Sequence, residues 1–387
     1  MLPWVTAAEL RPSAQIDERS LVCDGQNAYL RAYDLSPDGK TVALLATPLA
    51  LFNKANAPSC LAIWDISGAK IIKSIDVSVD KTPPQSGFSP DVLFVLQGKE
   101  LVVQNQSTVS VYETDDLTRI REIRPPKEGP QRPLQVLYAN QAGLLLVSFA
   151  APLNNRSYLE ALQNVSEAVD LATGQVRGAW PLDDLPLAFS PDGKWAAVSD
   201  RSSPGATLGL SFFDVSTGRT ARLKDPQLGF SGKGEIFGRL TARFLSKGEL
   251  LVTPDGNFDR KGETAAHEIK LVSVPQGSIL AEIKPKHYGP MGELAASADT
   301  SFIATLSRSI PPFVMRHHVG LPRSATPNLL VMQRDGTSFK TKGAIQVPGI
   351  LALRENRTFD LALLRLSANG QVISLVQDYG LHFYRLN

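Results

Sequence analysis

Several patterns that would narrow the function are absent from this sequence. Only two cysteines occur, Cys23 and Cys60, so the disulfide framework of a small secreted domain is excluded. No apolar run reaches the roughly 18 residues that a transmembrane helix needs, and we expect no membrane-spanning segment. The 40 basic and 38 acidic side chains leave a net charge of +2. Because neither sign forms a long run, we expect no nucleic-acid partner.

Enzyme signatures are absent as well. The chain has no Gly-x-Ser-x-Gly elbow, no phosphate-binding glycine loop and no His-Glu-x-x-His helix motif. The sequence therefore names no catalytic residue. The first residues, MLPWVTAAELRPSAQ, lack a basic segment followed by an apolar one, so no signal peptide is recognised and export stays open.

A repeated stretch is the most informative feature that is present. AFSPDGKWAAVSD at 188–200 closely matches DLSPDGKTVALLA at 34–46. Ser-Pro-Asp-Gly favours a tight turn, since proline fixes φ at its first central position and glycine accepts a positive φ. Apolar segments on both sides predict a strand before the turn and another after it. Each copy continues into a third strand, LAIWDISGAK or LSFFDVSTGR, and a fourth apolar run.

Weaker copies extend the pattern to seven units of four strands, the last of which stops after its third strand. An open sheet edge leaves backbone groups unpaired. We therefore expect the N-terminal segment 15–23 to supply the missing strand and close a ring. This makes 15–387 one domain behind a tail at 1–14. The alternative gives the missing strand to 349–356 and leaves the N-terminus without a role.

These residues resemble the β-propeller repeat proteins of the WD40-like and YVTN types over nearly the whole chain. Trp64-Asp65 stands where a WD40 repeat carries its Trp-Asp pair, but the Gly-His dipeptide of that family is missing from every unit. The resemblance implies an all-β fold, a seven-bladed propeller of four-stranded blades. Propellers serve as binding scaffolds and as enzymes, so the fold does not decide the function.

Unit lengths differ because four segments are long: 47–59, 151–164, 254–267 and 309–327. All four fall between a second and a third strand. Since alternate hairpins of a blade point to opposite ends of the ring, we expect these loops to share one face. Long loops on a rigid scaffold often bind partners, although neutral insertion would give the same pattern.

That face is predicted to carry four histidines, His267, His287, His317 and His318. Imidazoles from several loops can hold a transition metal or act as general acids and bases. This is the basis of an alternative function, a metal-assisted hydrolase or lactonase-like propeller. The competing interpretation is solvated loop histidines.

A second candidate is a calcium loop. In DGNFDRKGE, the oxygen-bearing side chains of Asp255, Asn257 and Asp259 alternate and Glu263 follows. Ca²⁺ prefers such oxygen ligands. The stretch departs from an EF-hand because Arg260 stands at the glycine position. A polar hairpin tip without metal is the alternative, so no cofactor is required.

The leading interpretation is a non-catalytic scaffold that binds a protein or ligand through the long-loop face. Aromatic residues, methionine and arginine are enriched at interfaces. The expected contact residues are Phe313, Met315, Arg316, His317, His318, His287, Tyr158 and Phe52.

Cys23 is expected to end the closing strand and Cys60 to begin the third strand of the first blade, so both should lie near one rim, at the seam between adjacent blades. They form either an intramolecular disulfide, which favours an oxidising compartment, or two separate buried thiols. The bond and the resemblance to YVTN-type propellers together favour a secreted or periplasmic location slightly over a cytoplasmic one.

Overall fold

A computed structural model gives the fold of the chain. It describes the following residues: 12–17, 20–48, 59–77, 90–105, 108–124, 132–150, 164–182, 186–200, 209–222, 239–255, 269–283, 291–307, 328–346, 364–377 and 380–386.

The described strands form seven antiparallel sheets, or blades, each built mainly from consecutive strands. Blades 1 to 3 contain β3 (Gln26–Leu35), β4 (Thr41–Pro48), β5 (Ser59–Asp65), β6 (Lys70–Val77); β7 (Asp91–Val95), β8 (Glu100–Gln104), β9 (Val109–Glu113), β10 (Arg119–Ile123); and β11 (Arg132–Ala139), β12 (Leu144–Ala150), β13 (Asn164–Asp170), β14 (Val176–Leu182). Blades 4 and 5 contain β15 (Pro186–Phe189), β16 (Trp195–Asp200), β17 (Gly209–Asp214), β18 (Arg219–Arg222); and β19 (Arg239–Ser246), β20 (Glu249–Asp255), β21 (Ile269–Ser273), β22 (Ile279–Ile283). Blades 6 and 7 contain β23 (Met291–Ala296), β24 (Phe302–Ser307), β25 (Asn328–Asp335), β26 (Ser338–Gln346); and β27 (Leu364–Leu366), β28 (Val372–Gln377), β29 (Gly380–Arg385) together with β1 (Ala14–Asp17).

The blades close into a ring. The first strand of every blade contacts the first strands of both neighbouring blades, including β27 of the last blade and β3 of the first. Apolar side chains fill the spaces between the sheets, as where Leu45 and Leu61 of blade 1 pack with Val92 and Leu101 of blade 2. The expected seven-bladed, all-β propeller is confirmed.

An N-terminal strand completes the last blade, as the sequence predicted. β1 pairs antiparallel with β29, and Ile16 lies opposite Leu381. Ser13 adds a backbone hydrogen bond to the carbonyl of Phe383 at 2.7 Å. The N-terminus therefore has the closing role, and the alternative that left it idle is wrong. The segment 349–356 lies outside the described residues.

The closing strand is shorter than expected. It ends at Asp17, where the Ser20 hydroxyl donates to the Asp17 carbonyl. The remainder of the predicted 15–23 strand forms β2 (Val22–Cys23), which pairs with β3 of blade 1 instead. Asp24 and Gly25 join β2 to β3, both with positive φ, the combination that a two-residue Asp-Gly hairpin requires.

The turns between the first and second strands are held by their own side chains. In blade 1, the Ser36 hydroxyl donates to Asp38 Oδ1 at 2.7 Å and accepts the N–H of Thr41 at 3.0 Å. The same two kinds of bond recur on Ser190 in blade 4, Ser297 in blade 6 and Ser367 in blade 7. The repeat in the sequence thus encodes one recurring turn.

These turns also link the blades at one end of the ring, which we call the short-turn end. Between blades 6 and 7, the N–H of Ala298 donates to the Ala368 carbonyl at 2.8 Å. Between blades 7 and 1, the N–H of Asn369 donates to the Pro37 carbonyl at 3.1 Å, and its side-chain amide donates to the Asp38 carbonyl at 2.9 Å. This end is a hydrogen-bonded rim.

Candidate functional site

The opposite end of the ring is the long-loop end. Four connections leave it between the second and third strands of blades 1, 3, 5 and 6. The described strand ends that flank them are Pro48 and Ser59, Ala150 and Asn164, Asp255 and Ile269, and Ser307 and Asn328. Because corresponding strands of a propeller run in the same direction, all four connections start and finish at this end.

The structure describes few of the predicted site residues. Asp255 is the last residue of β20. The other predicted metal ligands and contact residues lie outside the described residues: Asn257, Asp259, Glu263, Phe52, Tyr158, His287, Phe313, Met315, Arg316, His317 and His318. His267 also lies outside them. These assignments stay predictions.

The described residues instead bring polar side chains together along the central channel, where the first strands of the blades meet. Strand register defines two layers of positions. We call the first one the turn-side layer. Each of its residues lies on the first strand of a blade and pairs with the third residue of the second strand of the same blade. Its members are Asp34, Leu93, Leu137, Ala188, Arg243, Ala295 and Arg365.

The second layer lies two positions nearer the long-loop end, and we call it the loop-side layer. Each member lies on the first strand of a blade and pairs with the fifth residue of the second strand of the same blade. The described members are Ala32, Asp91, Gln135, Thr241 and Glu293. The two layers together place three carboxylates and two guanidinium groups on the innermost strands.

Arg365 joins three blades across this channel. Its Nε lies 3.3 Å from Asp34 Oδ1 of blade 1, and its Nη2 lies 3.7 Å from Asp91 Oδ1 of blade 2. The guanidinium carbon also lies 5.9 Å from the centre of the Tyr33 ring, within cation–π range. These contacts fasten blade 7, which contains the first and last described strands, to blades 1 and 2.

Backbone groups complete the partners of the carboxylates. Asp34 Oδ2 accepts the N–H of Phe94 at 2.8 Å, and Asp91 Oδ1 accepts the N–H of Val92 at 2.9 Å. On the far side, Glu293 Oε2 accepts the N–H of Leu364 at 2.8 Å. In two places, therefore, an acid on one blade binds the backbone of the next blade.

Burial controls protonation in this cluster. It raises the pKa of Asp34 from 3.8 to about 6, although Arg365 and the Phe94 N–H favour the charged form. The pKa of Asp91 is raised by burial too, and Arg365 opposes the shift. Burial acts to lower the pKa of Arg365, but the attraction of Asp91 and Asp34 outweighs it, and the pKa of Arg365 is raised.

Arg243 differs from Arg365. It lies on β19 of blade 5, is exposed to the channel, and none of the hydrogen bonds and ion pairs of the described residues involves it. Enclosure by protein and then repulsion from Arg365 lower its pKa, while Asp34 opposes the shift. Since Arg365 and Asp34 belong to blades 7 and 1, this interaction acts across the channel.

Cys23 and Cys60 form a disulfide, with 5.6 Å between their Cα atoms. This confirms the bonded alternative over two separate thiols. The bond joins β2 to β5, so it clamps the segment just after the closing strand to blade 1. Asp76 Oδ1 lies 3.3 Å from Cys60 Sγ. Within the described residues, Cys23, Cys60 and Asp76 are the only group of three or more His, Cys, Asp or Glu side chains whose ligand atoms lie within 4.8 Å of one another.

The channel residues were missed at the level of sequence. A signal exists, because Asp34 and Arg365 each stand two positions before the turn serine of their repeat. Arg243 stands three positions before Ser246, since a bulge between Phe244 and Ser246 adds a residue. An alignment of the repeats on their turn serines, allowing for this extra residue, would have shown that Asp34, Arg243 and Arg365 occupy equivalent positions.

Known proteins match the fold of this chain. The structure is similar to a chain of the mitotic checkpoint complex, with a TM-score of 0.57 and 13% identity, covering 100% of this chain and 95% of that one. It is also similar to hydrazine synthase of Kuenenia stuttgartiensis (TM-score 0.53, 14% identity, 92% and 95% covered). A third similar structure is the β-propeller domain of Cps50 (Swd1) from Myceliophteria thermophila (TM-score 0.54, 11% identity, 97% and 99% covered).

The fold is that of a WD40-like β-propeller. At these identities the likeness concerns the fold alone, and one of the similar chains comes from an enzyme. No protein-family model and no curated protein matches the sequence. Helices with the length and hydropathy of a membrane crossing are absent from the described part of the chain.

Proposed function

We propose that this propeller is a non-catalytic recognition scaffold that binds a protein partner at its long-loop end. The observation that carries the proposal is the contrast between the two ends. At the short-turn end, compact turns bond to one another from blade to blade. At the other end, four long connections leave one rigid rim, the arrangement that binding surfaces on scaffolds commonly have.

Among the described residues, the channel carboxylates and both cysteines have structural partners within the chain. The channel carboxylates accept hydrogen bonds from backbone N–H groups, and two of them pair with Arg365. Both cysteines are in a disulfide. The carboxylates thus hold neighbouring blades together, and the disulfide fastens β2 to β5 within blade 1. A similar chain comes from the mitotic checkpoint complex, which is consistent with a protein partner.

The proposed contacts at this docking surface come from Phe313, Met315, Arg316, His317 and His318, with His287, Tyr158 and Phe52 contributing from other connections. Cross-linking in the native host tests these contacts. A photo-crosslinking amino acid replaces one residue at a time, at either end of the ring. We expect cross-linked partner from substitutions at Phe52, Tyr158 and Phe313, and none from Ser67, Thr173 and Ser216 at the short-turn end. Cross-links from the short-turn set alone would contradict the proposal.

Calcium binding by Asp255, Asn257, Asp259 and Glu263 is a separate proposal that rests on the alternation of oxygen ligands. Elemental analysis of the purified protein tests it directly. We expect one calcium per chain, and we expect it to be lost in the double variant that combines Asp255→Asn with Asp259→Asn. A wild-type protein without calcium would overturn the proposal. Zinc or copper in place of calcium would instead favour the hydrolase alternative through His287, His317 and His318.

We also propose that the protein works in an oxidising compartment, periplasmic or extracellular. The disulfide between Cys23 and Cys60 supports this, because such bonds persist mainly outside the reducing cytosol. Fractionation of the native host with thiol labelling tests it. Recovery in the cytosolic fraction with both thiols labelled would overturn it.

A further inference from the structure

The turn-side layer of the channel contains a guanidinium, Arg243, that forms no ion pair with another described residue. Arg243 has none of the ion pairs or hydrogen bonds found among the described residues, whereas Arg365 in the same layer has two carboxylate partners. Arg243 is exposed to the channel, so its N–H groups are accessible to a ligand. An accessible guanidinium without an ion-pair partner among the described residues can offer its planar fork of N–H donors to an anion.

The side chains at the same register as Arg243 suit a particular kind of anion. At the same register, the neighbouring blades carry Ala188 and Ala295, whose side chains are too short to reach the channel axis. Blades 2 and 3 present Leu93 and Leu137, both partly exposed. The layer thus combines a guanidinium, two short side chains on the neighbouring blades and two partly exposed leucines.

The loop-side layer restricts the charge of the ligand. Asp91 and Glu293 lie there, between the turn-side layer and the long-loop end. A dianion such as phosphate entering from that end is repelled by both groups, and it meets only one unpaired guanidinium. A monoanionic carboxylate matches the planar fork of arginine and suffers less repulsion.

We infer that the turn-side layer of the channel binds a carboxylate carried on an aliphatic body, with Arg243 as its charged anchor. The bound carboxylate accepts two N–H bonds from the guanidinium, and the aliphatic body packs on Leu93 and Leu137. This site is separate from the docking surface proposed above and does not depend on it. The carboxylate comes from a free acid or from the C-terminus of a peptide.

Isothermal titration calorimetry with isovalerate tests the inference. We expect saturable binding to the wild-type protein and a roughly tenfold or greater loss of affinity in Arg243→Gln, the size expected for a charge-assisted pair. Arg219→Gln is the matched control, since Arg219 is exposed on the outer strand β18. Its affinity should equal that of the wild type. An unchanged unfolding midpoint shows that Arg243→Gln is folded.

Three further probes define the chemistry. Isovaleramide, which lacks the charge, and inorganic phosphate should both bind at least tenfold more weakly than isovalerate. N-acetylleucine distinguishes the source, because tighter binding than isovalerate indicates a peptide C-terminus and weaker binding indicates a free acid. Absence of saturable isovalerate binding, equal affinity in Arg243→Gln, or tighter binding of phosphate would each overturn the inference.

Discussion

Arg365 Nε in the last blade lies 3.3 Å from Asp34 Oδ1 in the first blade, while Arg365 Nη2 reaches Asp91 of the second. The three side chains are partly buried, with 25%, 17% and 33% of their surface exposed for Arg365, Asp34 and Asp91. One guanidinium thus balances two carboxylates at the junction where the ring closes.

Removing this guanidinium should destabilise the fold. In Arg365→Met the two carboxylates lose their common partner, and we expect a loss of about 2 to 4 kcal/mol in the free energy of unfolding. Urea denaturation at neutral pH measures it. Arg219→Met, on an exposed outer strand, should change stability by less than about 0.5 kcal/mol. Equal effects of the two substitutions would show that the cluster does not hold the ring.

Asp34 should give the stability a measurable pH dependence. Its pKa of about 6 in the folded protein lies above its ordinary 3.8, so between these values the folded state binds more protons than the unfolded state. Stability from this group is therefore lost as pH rises through that window. Between roughly pH 4 and pH 7, the free energy of unfolding of the wild type should fall relative to Asp34→Asn by up to about 3 kcal/mol. Parallel pH profiles of the two proteins would refute this.

The disulfide should contribute strongly to stability. It closes a segment with a sequence separation of 37, for which the loop-entropy model gives about 4 kcal/mol. We expect the double substitution of Cys23 and Cys60 by serine to lower the unfolding midpoint in urea, and a reducing agent to lower that of the wild type to the same level. The double variant itself should not respond to the reductant. A wild-type protein that is equally insensitive would contradict the prediction.

Gly380 should be essential to the closing strand. A Cβ placed there would lie 2.7 Å from the Ile16 carbonyl oxygen, a backbone atom that cannot move aside as a side chain can. We expect Gly380→Ala to cost about 1 to 3 kcal/mol and to increase hydrogen exchange at β1. Gly343→Ala is the matched control, because no atom lies within 4 Å of its added Cβ. Equal stability of the two variants would argue against close packing of β1.

The fold was predictable because its determinants are local and repeated. The Ser-Pro-Asp-Gly stretch specifies the same turn each time through bonds among residues near in sequence, as with Ser36 and Asp38. Closure by an N-terminal strand followed from the missing strand of the last unit. The hairpin at Asp24-Gly25 was overlooked, although its turn signal is present in the sequence.

The channel was not predictable in the same way. Asp34, Asp91 and Arg365 are far apart in sequence, and only the ring brings them together. Their alignment also depends on bulges, such as the one between Leu30 and Ala32 in β3, which shift the register that periodicity alone suggests. The predicted calcium ligands and loop contacts remain predictions because nearly all of them lie outside the described residues.

The pairing of β1 with β29 has a consequence for biosynthesis. β1 must wait for β29, made more than 360 residues later, before it has a partner, since Ala14 lies opposite Phe383. Six blades can assemble from neighbouring segments during translation, but the seventh forms only after β29 has been made. A chaperone that shields β1 would act during that interval.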